Sequence, residues 1–309
     1  MSLPSRVTLV EVGPRDGLQN EVARIVAADK IAFVDRLSAA GHKAIEVSAF
    51  VSPTWVPQMA DAATVFAGIT RRPGVRYSAL VPNLAGLERA IEAKADAVAI
   101  FAAASETFSR KNINQGIQES LAAYRAVCAR AIAAGLPVRA YVSTAFGCPF
   151  EKDVSPAVVA DGAAALVEMG AYEVAVSDTI GIAHPGQVPR VVDAVAARIG
   201  LHRIALHFHD TRGTALANVL MALQLGVATF DASAGGLGGC PYAPGATGNL
   251  ATEDLVYMLD GLGIETGVSL DKALAASRFI EQKIGHPLAS RYAAAEKSSN
   301  GPRLHHEDH

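Results

Sequence analysis

The sequence predicts an α/β protein, a TIM (β/α)8 barrel with a C-terminal helical extension. Eight short apolar runs rich in β-branched residues recur along the 309 residues, and helical patterns separate them. Most of these runs are continuously apolar, which is typical of parallel strands that are buried on both faces. Eight β-then-α units are also the number that closes a barrel.

The predicted strands follow the apolar runs in order. They cover Val7–Val12, Ala44–Phe50, Arg76–Val81, Asp96–Phe101, Val138–Ala145, Glu173–Ser177, Arg203–His209 and Thr229–Ser233. A doubly wound open sheet is the alternative, and it favours a glycine-rich phosphate turn after the first strand. The segment there reads GPRDGLQN, which lacks the G-x-G-x-x-G spacing.

Amphipathic segments between the strands predict helices with ordinary start and stop signals. Asn83 and Ser155 are favourable N-caps, and glycines such as Gly41 follow several helix ends. The predicted helices cover Asp29–Ala40, Gln58–Ile69, Leu84–Ala93, Ile117–Ala134, Pro156–Met169, Pro185–Ile199 and Thr214–Leu225.

One further helix, Val268–Ile284, exceeds what the barrel requires. No linker rich in serine, glycine or proline divides the chain, and no run of charges does so. We therefore expect residues 1–267 to form a catalytic barrel and residues 268–309 to form a helical extension and polar tail in the same domain. The extension is expected to help close the site or form a homodimer or higher homo-oligomer.

Composition excludes several classes of protein. Half of the residues are hydrophobic, which excludes a disordered chain, and the net charge of −3 gives no electrostatic footprint for nucleic acid. Three cysteines make no disulfide framework and suit a reducing compartment. The sequence has no signal-peptide pattern and no apolar stretch of roughly 18 residues. We therefore expect a cytoplasmic location and no membrane partner.

Polar residues concentrate where the predicted strands end, which is where barrel enzymes carry their active sites. Arg15 and Asp16 follow the first strand, as a structural salt bridge or as active-site groups. Glu46 lies inside the apolar second strand, where a buried carboxylate is costly unless it is paired. It either pairs with Arg15 or a helix terminus, or has an electrostatic or acid–base role, and these alternatives are compatible.

Two histidines on the seventh strand predict half of a metal site. His207 and His209 are two residues apart, so their side chains project from the same face of the strand. Asp16 and Asn249 would add oxygen ligands. Imidazole nitrogens with oxygens and no thiolate suit six-coordinate Mg²⁺ or Mn²⁺ better than a closed zinc site.

A glycine-rich loop follows the eighth strand, from Gly235 to Asn249. It has three interpretations: a phosphate cradle, a lid that delivers Cys240 to the substrate, or an inert loop. A loop of this length usually has a function, so the third is disfavoured. A second polar cluster, Ser177–Gly181, ends the sixth strand, where Asp178 either caps the next turn or joins the active-site rim.

Four motifs together resemble the 3-hydroxy-3-methylglutaryl-CoA (HMG-CoA) lyase family of the DRE-TIM metallolyase superfamily. They are Gly13–Asn20, Ser52–Gln58, Lys111–Asn114 and Gly235–Asn249, and the resemblance extends from about Val7 to about Gly267. It implies a barrel that uses a divalent metal to cleave (S)-HMG-CoA to acetyl-CoA and acetoacetate, in leucine and related acyl-CoA catabolism.

The resemblance also implies roles for individual residues. The implied metal ligands are Asp16, His207, His209 and Asn249. The implied catalytic residues are Arg15, Asp16, Glu46, Asp178, His207 and Cys240. The implied substrate-binding residues are Arg15, Gln19, Asn112 and Thr179. The chemistry of the cleavage adds two candidate roles. Asp16 and His207 are the candidates for the general base, although each is also an implied metal ligand, and Cys240 is the candidate proton donor or relay to the enolate.

The sequence departs from the family pattern at two positions. Arg212 replaces the more usual tyrosine, close to the metal strand, and Val22 replaces the lysine of the animal enzymes. No cysteine follows Cys240, so thiol-linked control of a dimer is not expected.

Three alternative functions each differ from that of an HMG-CoA lyase in one feature. A lyase for a bulkier 3-hydroxy-3-alkylglutaryl-CoA, such as the isohexenyl compound, would keep the ligands and change the pocket. An acyl-CoA condensing synthase would run the reverse direction. A non-catalytic metal- or CoA-binding barrel would release no acetoacetate.

Overall fold

The computed structural model describes residues 3–239 and 248–299 and contains a closed barrel of eight parallel strands. The strands are β1 Thr8–Glu11, β2 Ala44–Ala49, β3 Arg76–Leu80, β4 Ala97–Ala103, β5 Val138–Ser143, β6 Ala171–Asp178, β7 Ile204–Phe208 and β8 Thr229–Ala232. Each strand pairs with the next in sequence, and β1 pairs with β8, with Thr8 opposite Thr229. The predicted barrel is confirmed, and the doubly wound alternative is wrong.

Helices alternate with the strands and cover the outside of the barrel. They are α1 Ala27–Ala40, α2 Ala62–Gly68, α3 Leu84–Glu92, α4 Glu106–Ile113, α5 Ile117–Ala133, α6 Pro156–Glu168, α7 Val188–Ile199, α8 Ala215–Gln224, α9 Thr252–Gly261, α10 Leu270–Ile284 and α11 Arg291–Ser299. No helix in the described ranges is both long and apolar enough to span a membrane.

The largest differences between the structure and the predicted helices are in four places. Helix α2 is shorter than predicted, because a separate 3₁₀ turn, Pro57–Met59, precedes it. Helices α4, α9 and α11 were not predicted. Helix α9 follows β8 and completes the eighth unit. Its N-cap residue is Ala251, which has no side-chain group that could cap the helix, so no capping residue in the sequence signals its start.

Helix α10 packs against α1 and against the turn that follows β8. Its inner face is small and apolar, with Ala273, Ala276 and Ile280 fully buried. The adjoining segment carries Ser290, whose amide donates to the carbonyl oxygen of Gly235 over 3.0 Å. The amide of Gly235 in turn donates to Glu253 Oε2 of α9 over 2.8 Å. Both backbone groups of Gly235 are therefore bonded to elements that follow the barrel strands.

Candidate active site at the carboxyl end of the barrel

A tight π-helical turn, Gly13–Gly17, carries the first two polar side chains of the site. The amides of Arg15, Asp16 and Gly17 all donate to the carbonyl oxygen of Val12 over 2.8–3.2 Å. A Cβ on Gly13 would lie 2.6 Å from Glu11 Oε1, so a side chain there would displace the carboxylate that bonds the turn. The turn places both Arg15 and Asp16 on the wall of a cavity at the mouth of the barrel.

Arg15 is the positive centre of this cavity. Its Nε donates to Glu46 Oε1, and its NH1 donates to Asp16 Oδ1 over 2.6 Å. Burial alone would lower the pKa of Arg15, but the charges of Glu46 and Asp16 outweigh it and raise that pKa above its ordinary value. The guanidinium therefore stays charged, and Glu46 has the pairing with Arg15 that its sequence position suggested.

Asp16, His207 and His209 form a cluster whose ligand atoms lie within 4.8 Å of one another. The two Nε2 atoms are 3.1 Å apart, and Asp16 Oδ2 lies 4.0 Å from that of His207 and 3.9 Å from that of His209. Asn249 Nδ2 donates to Asp16 Oδ2 over 2.9 Å, while its buried Oδ1 has no partner among the described residues.

These atoms fit a hard divalent cation. Adjacent ligand atoms around an octahedral ion at about 2.1 Å lie roughly 3 Å apart, which is close to the separation of the two Nε2 atoms. The orphaned Asn249 Oδ1 is a carbonyl oxygen of the kind that such ions prefer. The donor set therefore suits Mg²⁺ or Mn²⁺.

The protonation states also suit metal binding. Burial opposes ionisation of Asp16, but the charge of Arg15 outweighs it and holds the pKa of Asp16 well below its usual range. Burial, with a smaller contribution from His207, lowers the pKa of His209 to about 3. Asp16 is thus a carboxylate and His209 a neutral imidazole at neutral pH, which are the forms that bind metals.

Two buried charged residues that lie behind His207 were not singled out from the sequence. Asp231 of β8 has its Oδ2 3.1 Å from His207 Nδ1, and Arg139 of β5 donates to Asp231 Oδ1 over 2.6 Å. Tyr141 joins them to the front of the site, because its hydroxyl accepts from Arg139 over 2.9 Å and donates to Glu46 over 3.0 Å. The available signal was a charged residue inside an apolar strand, the same signal that singled out Glu46.

The cavity has a volume of about 570 Å³, and its lining contains both polar and apolar side chains. The predicted substrate-binding residues Gln19, Asn112 and Thr179 all lie on its wall. Thr179 Oγ1 also accepts from the amide of Thr144 over 2.8 Å, so this side chain is held in place. The cavity lining also contains many apolar and aromatic side chains, among them Val51, Leu80, Phe101, Phe108 and Tyr124.

Asp178 caps the turn that follows β6, which is one of the two roles that the sequence predicted for it. Its two carboxylate oxygens accept from the amides of Ile182 and Ala183, each over 3.0 Å. Burial raises the pKa of Asp178 to about 6 against these two hydrogen bonds. Asp178 is not among the described residues that line the cavity.

The two departures from the family pattern lie outside the cavity wall. Arg212 NH1 donates to the carbonyl oxygen of Ile180 over 3.2 Å and to that of Gly181 over 2.8 Å, so it fastens the loop after β6. Val22 is fully exposed to solvent.

One described end of the glycine-rich loop lies on the cavity wall, and the other end packs against it. Gly239 lines the cavity, and Gly248 has a φ of +94° and packs so closely that a Cβ would overlap the carbonyl oxygen of Gly238. Glycine at 248 therefore lets the two ends approach each other beside Asn249. Cys240 lies outside the described residues, so the three interpretations of the loop stay open.

Glu11 is a buried acid that holds the backbone beneath the site. Its Oε1 accepts from the amides of Gly13 and Ala234 over 2.8 and 3.0 Å, and its Oε2 accepts from Thr252 Oγ1 over 2.7 Å. Burial raises the pKa of Glu11 to about 8, although these hydrogen bonds oppose the shift. Glu11 thus fixes both the turn that carries Arg15 and the turn that follows β8.

Glu11→Gln is expected to become relatively more stable as the pH rises. The folded protein keeps the Glu11 proton up to about pH 8, whereas the unfolded chain loses it near 4.5, so the carboxyl lowers stability progressively across that interval. Glutamine removes the titration and keeps an acceptor oxygen. Thermal melts from about pH 5 to about pH 9 should show the variant's Tm rising relative to the parent's by a few degrees. A difference that is flat with pH would contradict the assignment.

Comparison with known proteins agrees with this geometry. The HMGL-like family model matches residues 6–280. The chain is 53% identical over 299 residues to hydroxymethylglutaryl-CoA lyase YngG of Bacillus subtilis, an alignment that covers 97% of this chain and 100% of the relative. It is 53% identical over 295 residues to a 3-hydroxy-3-isohexenylglutaryl-CoA/hydroxymethylglutaryl-CoA lyase of Pseudomonas aeruginosa, covering 96% of this chain and 98% of that one.

A solved structure supports the same relationship. The HMG-CoA lyase of Acinetobacter baumannii, in complex with coenzyme A and 3-methylmalate, superposes with a TM-score of 0.92 at 38% identity and covers 97% of this chain and 98% of that one. The chain therefore belongs to the HMGL-like family, that of the hydroxymethylglutaryl-CoA lyases.

Proposed function

We propose that this chain is a metal-dependent carbon–carbon lyase that cleaves (S)-3-hydroxy-3-methylglutaryl-CoA to acetyl-CoA and acetoacetate. The observation that carries the proposal is one cavity mouth that presents both Arg15 and the Asp16–His207–His209 cluster. Cleavage of a tertiary β-hydroxy thioester needs both features: a cation beside the thioester oxygen and ligands for an ion that binds the hydroxyl. The named relatives support the substrate, and the coenzyme A complex of one of them supports an acyl-CoA.

Arg15 is the group that we assign to the thioester carbonyl. Breaking the C–C bond leaves an electron pair that the thioester oxygen accepts as an enolate. A guanidinium has five N–H donors, and the contacts with Glu46 and Asp16 use Nε and NH1. Arg15 is buried on the wall of the cavity, and a pre-positioned donor in a buried setting stabilises developing charge more strongly than one in water.

The tertiary hydroxyl must lose its proton as it becomes a ketone. A divalent cation on Asp16, His207, His209 and Asn249 would supply Lewis acidity that lowers the pKa of this hydroxyl. Asp16 Oδ2 and His207 Nε2 are the two basic atoms beside that position, and we assign the base to one of them. The atom that takes the proton would have to give up its place as a ligand, because one lone pair cannot hold both the ion and the proton. Cys240 stays the predicted proton donor to the enolate, and Asp178 the predicted further active-site acid, with contacts that support a role in shaping its loop.

An assay with HMG-CoA tests the proposal directly. We expect release of acetoacetate that EDTA abolishes and that added Mg²⁺ or Mn²⁺ restores, because the cluster holds the ion that the hydroxyl needs. Acetoacetate is measured by coupled oxidation of NADH. Full activity in excess EDTA would contradict metal dependence, and no acetoacetate with any divalent ion would contradict the reaction and favour a non-catalytic binding barrel.

A second candidate substrate is a 3-hydroxy-3-alkylglutaryl-CoA with a longer branch, such as the isohexenyl compound. The aromatic side chains in the cavity lining, which include Phe101, Phe108 and Tyr124, favour it, and one of the relatives carries this substrate in its name. The ratio of kcat/KM for the isohexenyl substrate to that for HMG-CoA decides between the two.

Several expectations from the sequence stay predictions. They are the choice of Mg²⁺ or Mn²⁺, a homodimer or higher homo-oligomer, a cytoplasmic location, and a single domain in which residues 268–309 extend the barrel of residues 1–267.

A further inference from the structure

His207 is tied to the barrel wall through one ring nitrogen. Its Nδ1 lies 3.1 Å from Asp231 Oδ2, a carboxylate whose side chain is completely buried on β8. A carboxylate accepts hydrogen bonds, so the proton of the neutral imidazole lies on Nδ1. The lone pair is then on Nε2, the atom that faces His209 and Asp16.

Asp231 is itself held by a guanidinium from across the barrel. Arg139 NH2 lies 2.6 Å from Asp231 Oδ1, and its NH1 lies 3.2 Å from Oδ2. The charge of Arg139 lowers the pKa of Asp231 against the effect of burial, so the group behind His207 is an ionised carboxylate. A two-point contact of this kind fixes the orientation of the carboxylate as well as its charge.

His209 lacks a comparable support. Its buried Nδ1 has no hydrogen-bond partner among the described residues. Within the described ranges, the carboxylate–imidazole arrangement that orients metal-binding histidines therefore occurs at His207 and not at His209. This asymmetry distinguishes a support for one specific ligand from general packing of polar groups.

We propose that Arg139 and Asp231 are a positioning pair that holds His207 in the tautomer and orientation in which Nε2 faces the metal site. The inference depends on the metal site in the proposed function but not on the substrate. Neither residue lines the cavity among the described residues, so neither is expected to contact the acyl-CoA.

The test compares Asp231→Ala and Asp231→Asn with a matched control, Glu173→Gln. Glu173 accepts from Arg139 Nε over 2.7 Å but makes no contact with His207 among the described residues. The Kd of Mn²⁺, measured by electron paramagnetic resonance, should rise about 10–100-fold in Asp231→Ala and less in Asp231→Asn, which keeps an acceptor oxygen. Glu173→Gln should stay within about twofold of the parent.

A second readout follows the histidine tautomer without any metal. In ¹⁵N-histidine-labelled, metal-free protein, with the pH raised until the ¹⁵N shifts show neutral rings, the parent should show His207 with its proton on Nδ1. Asp231→Ala should show a mixture of tautomers. If Asp231→Ala does not fold, as judged by circular dichroism, Asp231→Asn and Arg139→Lys carry both measurements.

Unchanged Mn²⁺ affinity together with an unchanged His207 tautomer in a folded Asp231 variant would overturn the inference. An equal loss of affinity in Glu173→Gln would also overturn it, because the effect would then be general destabilisation. Neither measurement uses an acyl-CoA. A parent protein that releases no acetoacetate would therefore refute the proposed function, while these measurements would still decide the role of the pair.

Discussion

Replacing Arg15 with methionine is expected to lower kcat by at least about 10²–10³-fold while KM for the acyl-CoA changes by only a few-fold. Arg15 is a cation on the cavity wall beside the metal-binding cluster, and its proposed contact strengthens only as the thioester oxygen gains charge. An interaction made mainly in the transition state affects kcat more than substrate binding. Steady-state kinetics with saturating Mn²⁺ measure both constants.

The control for this experiment is Arg15→Lys, which keeps the charge and loses the planar fork. It should retain more activity than Arg15→Met. Methionine leaves Glu46 and Asp16 without their shared cation, and breaking a buried pair costs about 3–5 kcal/mol, so circular dichroism must show that the variant is folded at the assay temperature. A rise in KM with unchanged kcat would assign Arg15 to binding alone.

Replacing His209 with alanine is expected to weaken Mn²⁺ binding by at least about 100-fold. Loss of a residue that only supports a metal ligand costs up to about 100-fold in affinity, and loss of a ligand itself should cost at least as much. Because burial lowers the pKa of His209 to about 3, the ring is neutral and available to the metal throughout the range in which the protein is assayed. Alanine removes one of the two nitrogens and leaves Asp16 and His207 in place. Titration of the metal-free protein with Mn²⁺, followed by electron paramagnetic resonance, gives the Kd.

His202→Ala is the matched control, since His202 is an exposed histidine on the 3₁₀ turn after α7. It should bind Mn²⁺ as the parent does. An unchanged titration curve for His209→Ala would remove His209 from the ligand set, whatever the effect on turnover.

Much of the fold was predictable because the barrel is built from local patterns. Each strand is an apolar run, and residues that favour helix ends mark where many of the helices begin and end. An example is Asn83, the N-cap of α3, whose Oδ1 accepts from the amide of Gly86 over 2.9 Å. Helix α4 had such a signal too, since Ser105 Oγ accepts from the amide of Phe108 over 3.1 Å. The segment was not predicted as a helix because its eight residues hold no clear apolar stripe.

The part of the site that lies within single strands was predictable from the sequence, but contacts between distant strands were not. His207 and His209 share a face by the period of a strand, and the structure brings their Nε2 atoms together. The contact of Arg139 with Asp231 joins β5 to β8, which are not neighbours in the sheet. Such a pairing depends on how the ring of strands closes, and no pattern within either strand specifies it.

The hydrogen bonds of the Gly235 backbone bear on how short an active fragment of this protein can be. A fragment ending at residue 267 would keep every barrel strand and all of the residues assigned to the metal and the substrate. It would lose the Ser290 amide that bonds the Gly235 carbonyl, and the Ser277 hydroxyl that bonds Glu253. The start of the loop that leads to Cys240 would then have lost its outer support. We therefore expect the minimal catalytic unit to extend at least through Ser290, beyond the last element of the barrel.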